Sequence, residues 1–236
     1  MRLDKFVSDG AALTRSEARK AIKYGRVRID GNVIKDIALH VDEGAQVSLD
    51  EKKINYRKYV YIMLNKPQGY VSATQDNHQK TVLDLLDASY SRYQLFPVGR
   101  LDIDTEGFLL ITNDGDMAHN LVSPNKKVGK TYFLRLENEV TNDQIKRLER
   151  GVDIGECVTK EATVKKISKD EINLTITEGK FHQIKRMAKA VGNNVTYLKR
   201  LSYGSLWLDE ELVPGQYREL LEKEIDYLYN VYKKKH

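Results

Sequence analysis

Short apolar runs of strand length, each closed by a turn, recur along this 236-residue chain from residue 59 onward, and they restrict it to a fold built on a sheet. Tyr59-Val60-Tyr61-Ile62-Met63-Leu64 runs into the turn Asn65-Lys66-Pro67-Gln68-Gly69, and Phe108-Leu109-Leu110-Ile111-Thr112 stops at Asn113-Asp114-Gly115. Strand periodicity across Lys130–Leu136 puts Lys130, Tyr132, Leu134 and Leu136 on one face and Thr131, Phe133 and Arg135 on the other. Further strands are expected at 94–98, on both sides of Ser168-Lys169-Asp170, at 195–201 and at 205–208. Helical spacing is confined to 81–86, 116–122, Asn142–Arg150 before Gly151, a segment in which Phe181, Ile184, Ala188 and Val191 repeat before Gly192, and 219–232. Many strands with few helices in mixed order predict an α+β fold with a largely antiparallel sheet.

The first 49 residues follow a different pattern. An amphipathic segment at 2–8 is followed by Asp9-Gly10, and Thr14-Arg15-Ser16-Glu17 forms a capping box that opens a second helix. Arg26-Val27-Arg28-Ile29, Asp30-Gly31 and Asn32-Val33-Ile34 then read as a hairpin, with one more strand at 46–49. Arg15, Arg19 and Lys23 recur every four residues and share a helix face that Lys20 widens, while Arg26 and Arg28 share a strand face. With Arg2 and Lys5 they form a basic ridge with few acidic neighbours, of the kind that phosphate contacts require. Arg2-Leu3-Asp4-Lys5, Thr14-Arg15, Gly25-Arg26-Val27 and the turn ending at Gly31 resemble the pattern of the S4 RNA-binding domain. That resemblance implies that residues 1–49 grip RNA through Arg2, Lys5, Arg15, Arg19, Lys20, Lys23, Arg26 and Arg28. The polar segment 50–58 reads as a linker to a second domain at 59–236, and Lys233-Lys234-Lys235-His236 as a frayed basic tail.

Within that second domain, residues 99–107, Gly-Arg-Leu-Asp-Ile-Asp-Thr-Glu-Gly, place three carboxylates and one arginine directly ahead of an apolar strand. Polar side chains on a loop held by a rigid element form a candidate active site. Asp102, Asp104, Glu106 and Gly107 occupy the first, third, fifth and sixth positions of a calcium-binding EF-hand loop, but Asn113 stands where the pattern demands glutamate. No Gly-Lys-Ser/Thr follows, so the loop is not a phosphate-binding P-loop.

Composition narrows the chemistry further. The single cysteine, Cys157, excludes an internal disulfide and a cysteine-based zinc site. The five histidines do not pair at helical metal-site spacing. No apolar run approaches the ~20 residues that span a bilayer, and the start of the sequence lacks a signal-peptide pattern, so a cytoplasmic protein without membrane contact is expected. A net charge of +5 permits nucleic-acid binding without requiring it.

Met63-Leu64-Asn65-Lys66-Pro67-Gln68-Gly69-Tyr70-Val71, Gly99-Arg100-Leu101-Asp102, Lys130-Thr131-Tyr132 and Gln183-Ile184-Lys185 together resemble the signature motifs of the S4-containing pseudouridine synthases, over residues 1 to about 217. The resemblance implies an isomerase that breaks the glycosidic bond of a uridine, turns the freed base and rejoins it through C5, with no metal or redox cofactor. Asp102 would then be the catalytic aspartate, attacking sugar or base or taking a sugar proton, and Lys185 its cationic partner. Many relatives carry arginine at the latter position, so lysine here leaves a point charge in place of a fork. Tyr132 would stack on uracil, Arg100 would follow the RNA backbone or fill the space of the flipped base, and Asp104 and Glu106 would shape the loop. Arg100-Leu101-Asp102-Ile103-Asp104-Thr105, Ser123-Pro124 and Lys185-Arg186-Met187 look most like the small-subunit branch. They imply a monomer acting on 16S rRNA in an assembly intermediate, with uridine 516 as target. A 23S rRNA enzyme, a non-catalytic assembly factor and a metal-dependent nuclease using Asp102, Asp104 and Glu106 are the alternatives.

Overall fold

The structure, a computed structural model, describes residues 1–42, 44–54 and 56–233. Two units emerge: residues 1–60 together with 88–94, and residues 61–87 together with those from 95 onward.

In the first unit α1 (Leu3–Gly10) and α2 (Arg15–Lys23) accompany a four-stranded sheet of β1 (Val27–Ile29), β2 (Asn32–Val33), β3 (Val47–Leu49) and β4 (Lys52–Lys53), in the order β2-β1-β3-β4. Helix α2 starts where the capping box predicts: Thr14 Oγ1 accepts from the Glu17 amide, and the Glu17 carboxylate accepts from the Thr14 amide. The apolar stripes of both helices meet Val27, Val41, Val47 and Ile54 in one core with Leu3, Phe6, Val7, Ala18, Ala21 and Ile22. Helix α1 continues through Asp9-Gly10, where a turn was expected, and Gly10 lies so close to Ile54 that a Cβ there would stand 2.2 Å from Cγ2. The expected linker starts instead with a strand, since Lys52 and Lys53 pair with β3. Residue 55 of that linker and residues 234–236 of the expected tail lie outside the described residues.

The second unit is built on β5 (Tyr61–Lys66), β6 (Phe96–Pro97), β7 (Glu106–Thr112), β8 (Lys130–Leu136), β9 (Thr163–Lys166), β10 (Glu171–Ile176), β11 (Val195–Tyr203), β12 (Leu206–Trp207) and β13 (Tyr217–Glu219). They form one sheet along the order β13-β5-β7-β11-β8-β10-β9, with β6 on β7 and β12 on β11. Only the β7–β11 pairing is parallel among those described, so the α+β class and the largely antiparallel mixed sheet agree with the periodicity. The helices are α3 (Gly115–Val122), α4 (Asn142–Arg150), α5 (Gln183–Ala190) and α6 (Glu222–Lys233), while the segment expected as a helix at 81–86 is a 3₁₀ turn at Val82–Leu85. Strand β5 is buried along its whole length, Asn65 and Lys66 included, and β7 from Gly107 on. No described helix is long and apolar enough to cross a membrane.

At the parallel β7–β11 pairing, Gly107 sits opposite Arg200 with φ +103°. A Cβ there would lie 2.2 Å from the Arg200 carbonyl oxygen, so glycine is what lets the strand after the carboxylate loop approach β11.

Candidate active site

Residues 99–105 reach β7 as a loop fixed through its backbone. The Ser72 hydroxyl donates to the Leu101 carbonyl and accepts from the Leu101 amide, both at 3.0 Å, and the Gly69 amide donates to Ile103 O at 2.8 Å. A turn closes where the Thr105 amide donates to Asp102 O at 3.0 Å. From the end of β5, fully buried Lys66 extends its ammonium to the carbonyl oxygens of Pro67 (3.0 Å), Asp102 (3.1 Å), Ile103 (3.3 Å) and Thr105 (2.9 Å). Three N–H groups serve four acceptors, so at least one bond is shared. Burial pushes the Lys66 ammonium down to about 8, against the pull of the carboxylates of Asp104, Asp102 and Glu106.

With its backbone fixed, Asp102 presents its carboxylate to the start of α5. Oδ2 lies 3.4 Å from Lys185 Nζ, and Oδ1 lies 3.7 Å from His182 Nε2. Lys185 makes its shorter contacts to Asp104, at 2.6 and 2.7 Å, so it bridges two carboxylates instead of serving Asp102 alone. Burial tends to raise the Asp104 pKa, but the Lys185 hydrogen bond and charge outweigh it and hold Asp104 below the usual carboxylate range. All these groups keep partial solvent access, so the pairing arranges charge more than it adds stability.

An open cleft of ≈ 750 Å³ joins these residues to Arg100, Lys130, Tyr132, Phe181, Arg200 and Tyr203. The four residues expected at the site, Arg100, Asp102, Tyr132 and Lys185, therefore line one cavity. Tyr132 lies on the buried face of β8, and its hydroxyl has no hydrogen-bond partner among the described residues. Arg100 is exposed at the cleft. Glu106 takes no part: it lies on β7 and accepts a 2.6 Å hydrogen bond from Tyr197. No described group of three His, Cys, Asp or Glu side chains is placed to hold a metal ion.

Phe181 departs from its expected place. It precedes α5, is 70% exposed, and stacks on His182 with ring centroids 3.8 Å apart. His182 has φ +49°, a left-handed turn that ends the helical spacing one residue before Gln183. The roles of Lys66, His182, Lys130 and Arg200 were not expected from sequence; a lysine directly after the apolar run 59–64 and Asn65 was the available signal for Lys66.

The basic residues of the first unit are exposed, Arg28 partly so. Of the few acidic neighbours expected, one holds the ridge together: Asp4, fully buried, accepts from Arg2 (3.2 and 3.3 Å), Arg15 (3.0 Å) and Arg19 (3.0 Å). Burial opposes its ionisation, yet the bonds from Arg19 and Arg2 and the charge of Arg15 win and bring its carboxyl down to about 2. Three arginines on one carboxylate leave an excess of two positive charges and many N–H donors facing solvent. Arg26 pairs with Asp50, and Arg28 donates to Gly31 O at 3.1 Å, while Lys5, Lys20 and Lys23 stay exposed.

A family model described as RNA pseudouridylate synthase matches residues 60–190, and one described as S4 domain matches residues 1–47. The chain is 50% identical over 234 residues to an uncharacterized RNA pseudouridine synthase of Bacillus subtilis, with 97% of this chain and 98% of that protein covered. It is 42% identical to the ribosomal small subunit pseudouridine synthase A of Salmonella typhimurium, across 95% of this chain and 98% of the relative. A solved pseudouridylate synthase structure superposes with a TM-score of 0.68 at 35% identity, covering 97% of this chain and 99% of that one.

Proposed function

Because this chain belongs to the RNA pseudouridylate synthase family and carries an S4 domain, we propose that it converts a uridine of 16S rRNA to pseudouridine, with Asp102 as the catalytic group. The observation that carries the reading is the Asp102 carboxylate, 3.4 Å from Lys185 in a cleft that Tyr132 also lines. Uracil stacks on Tyr132 and the ribose meets Asp102, beside which Lys185 places a positive charge. Arg100, exposed at the cleft, contacts the backbone of the strand from which the base has been flipped.

The small-subunit name of the Salmonella relative supports 16S rRNA as the substrate, and uridine 516 is the target we assign. The arginines gathered on Asp4, with Lys5, Lys20, Lys23, Arg26 and Arg28, form the sequence-independent grip of residues 1–49 on phosphates, and residues 59–236 form the catalytic domain. We assign the protein to the cytoplasm as a monomer that meets its rRNA in an assembling small subunit. Tritium release from 16S rRNA labelled at uridine C5 tests the activity. Wild-type protein should release label and Asp102→Asn should not; equal release by both removes Asp102 from the chemistry.

A further inference from the structure

We propose that Lys130 and Arg200 form an electropositive wall that holds uracil by its carbonyl oxygens and takes up the negative charge left on the base when its bond to ribose breaks. The inference rests on the isomerase reading above. Lys130 and Tyr132 share a face of β8; across the β8–β11 pairing Tyr132 stands opposite Arg200, and Lys130 opposite Tyr203. Cβ atoms of directly opposite residues are about 4.5 to 5.5 Å apart, so these side chains meet on one stretch of the sheet surface. All four line the cleft.

Neither cation has a carboxylate in contact among the described residues, and the Glu178 carboxylate acts on Lys130 only from a distance. Arg200 is 2% exposed; its Nε donates to Phe108 O at 2.6 Å, but its enclosed Nη2 has no partner. Lys130 Nζ makes only a 3.5 Å contact, to the Glu178 carbonyl, and both cations lie over the Tyr203 ring, at 5.3 and 5.4 Å. Among the described residues neither forms an ion pair with a carboxylate. An enclosed guanidinium and a half-buried ammonium facing one ring cost free energy until a negative or acceptor-rich group arrives.

The reaction supplies that group. The N1–C1′ bond breaks with its electron pair left on uracil, where the charge spreads to O2 and O4, while Asp102 bonds C1′ or takes the C2′ proton. C5 then bonds C1′ as the Asp102–C1′ bond breaks or as Asp102 returns the proton to C2′; the C5 proton leaves and N1 takes one up. A base stacked on Tyr132 turns its oxygen-bearing edge to Lys130 and Arg200. The wall binds the ionised base more strongly than the intact nucleotide, so its effect falls on turnover. Cytosine, which presents an amino group at C4, meets the same wall with a donor against donors.

Lys130→Gln and Lys130→Arg test the inference, with Arg200 left to support the fold. Single-turnover tritium release should fall about 100-fold in Lys130→Gln, with RNA affinity within about twofold of wild type, and should recover largely in Lys130→Arg. Wild-type protein should also bind free 5-fluorouracil, which ionises more readily than uracil, at least about tenfold better than uracil at pH 8, and Lys130→Gln should lose that preference. A rate within threefold of wild type, or RNA affinity that falls in step with the rate, overturns the proposal, as does equal binding of the two bases by wild type. Absence of tritium release from wild type indicts the isomerase reading instead, and base binding still decides the electrostatic one.

Discussion

The ammonium of Lys66 donates to the carbonyl oxygen of Asp102 at 3.1 Å across 36 residues of sequence, joining the buried end of β5 to the loop that carries the Asp102 carboxylate. Lys66→Met keeps most of the volume but leaves loop carbonyls without a donor, which should cost roughly 3 kcal/mol in chemical unfolding. Because the loop positions Asp102, turnover should fall by at least about 100-fold while RNA affinity changes little. Unfolding and turnover both within error of wild type would show that the loop holds itself.

Asp104 competes with Asp102 for Lys185, with contacts of 2.6 Å against 3.4 Å. Asp104→Asn should leave Lys185 to Asp102 alone and change turnover by less than about tenfold, whereas Lys185→Met strips both carboxylates of their cation and should cost about 100-fold or more. Single-turnover rates of the two variants compare them directly, and the reverse ranking would make Asp104 the group that Lys185 serves.

In the first unit, the Asp4 carboxyl titrates at about 2 in the folded protein against an ordinary 3.8. The unfolded chain takes the proton first as pH falls, so the stability due to this carboxylate is complete above 3.8 and is lost as pH drops toward 2. Asp4→Asn should remove that component of the acid slope, seen as a smaller pH dependence of urea unfolding between about pH 4 and 2. It should also weaken RNA binding at low salt, because Arg2, Arg15 and Arg19 lose their common anchor. An unchanged slope would mean that Asp4 does not organise them.

Gly107→Ala forces a Cβ to 2.2 Å from a backbone oxygen at a φ of +103°. The backbone of β7 or β11 must shift, so a loss of at least about 3 kcal/mol is expected. A midpoint of chemical denaturation close to that of wild type would show that the junction has slack.

How much of this was legible beforehand follows from where the stabilising forces are local. Strand β8 and helix α4 keep the expected bounds, since alternation along Lys130–Leu136 and the stop at Gly151 are local signals. Strand β13 was not expected, and its last residue, Glu219, was read as the start of the last helix; Tyr217–Glu219 gains its structure from pairing with β5, a contact 155 positions apart at Arg218 and Met63 that no window of sequence contains. Lys66 was read as part of a turn because a lysine buried on four carbonyls is specified only by the loop that covers it. Asp102, Tyr132, Arg100 and Lys185 could be picked out by motif, but the division of Lys185 between Asp102 and Asp104 is a matter of distance, which spacing does not carry.

The most direct measurement is a map of pseudouridine in 16S rRNA from cells that lack this protein, complemented with wild type or with Asp102→Asn. The account predicts one small-subunit pseudouridine that disappears with the protein, returns with wild type and stays absent with Asp102→Asn. Its return with Asp102→Asn, or a small-subunit rRNA unchanged by loss of the protein, would contradict it.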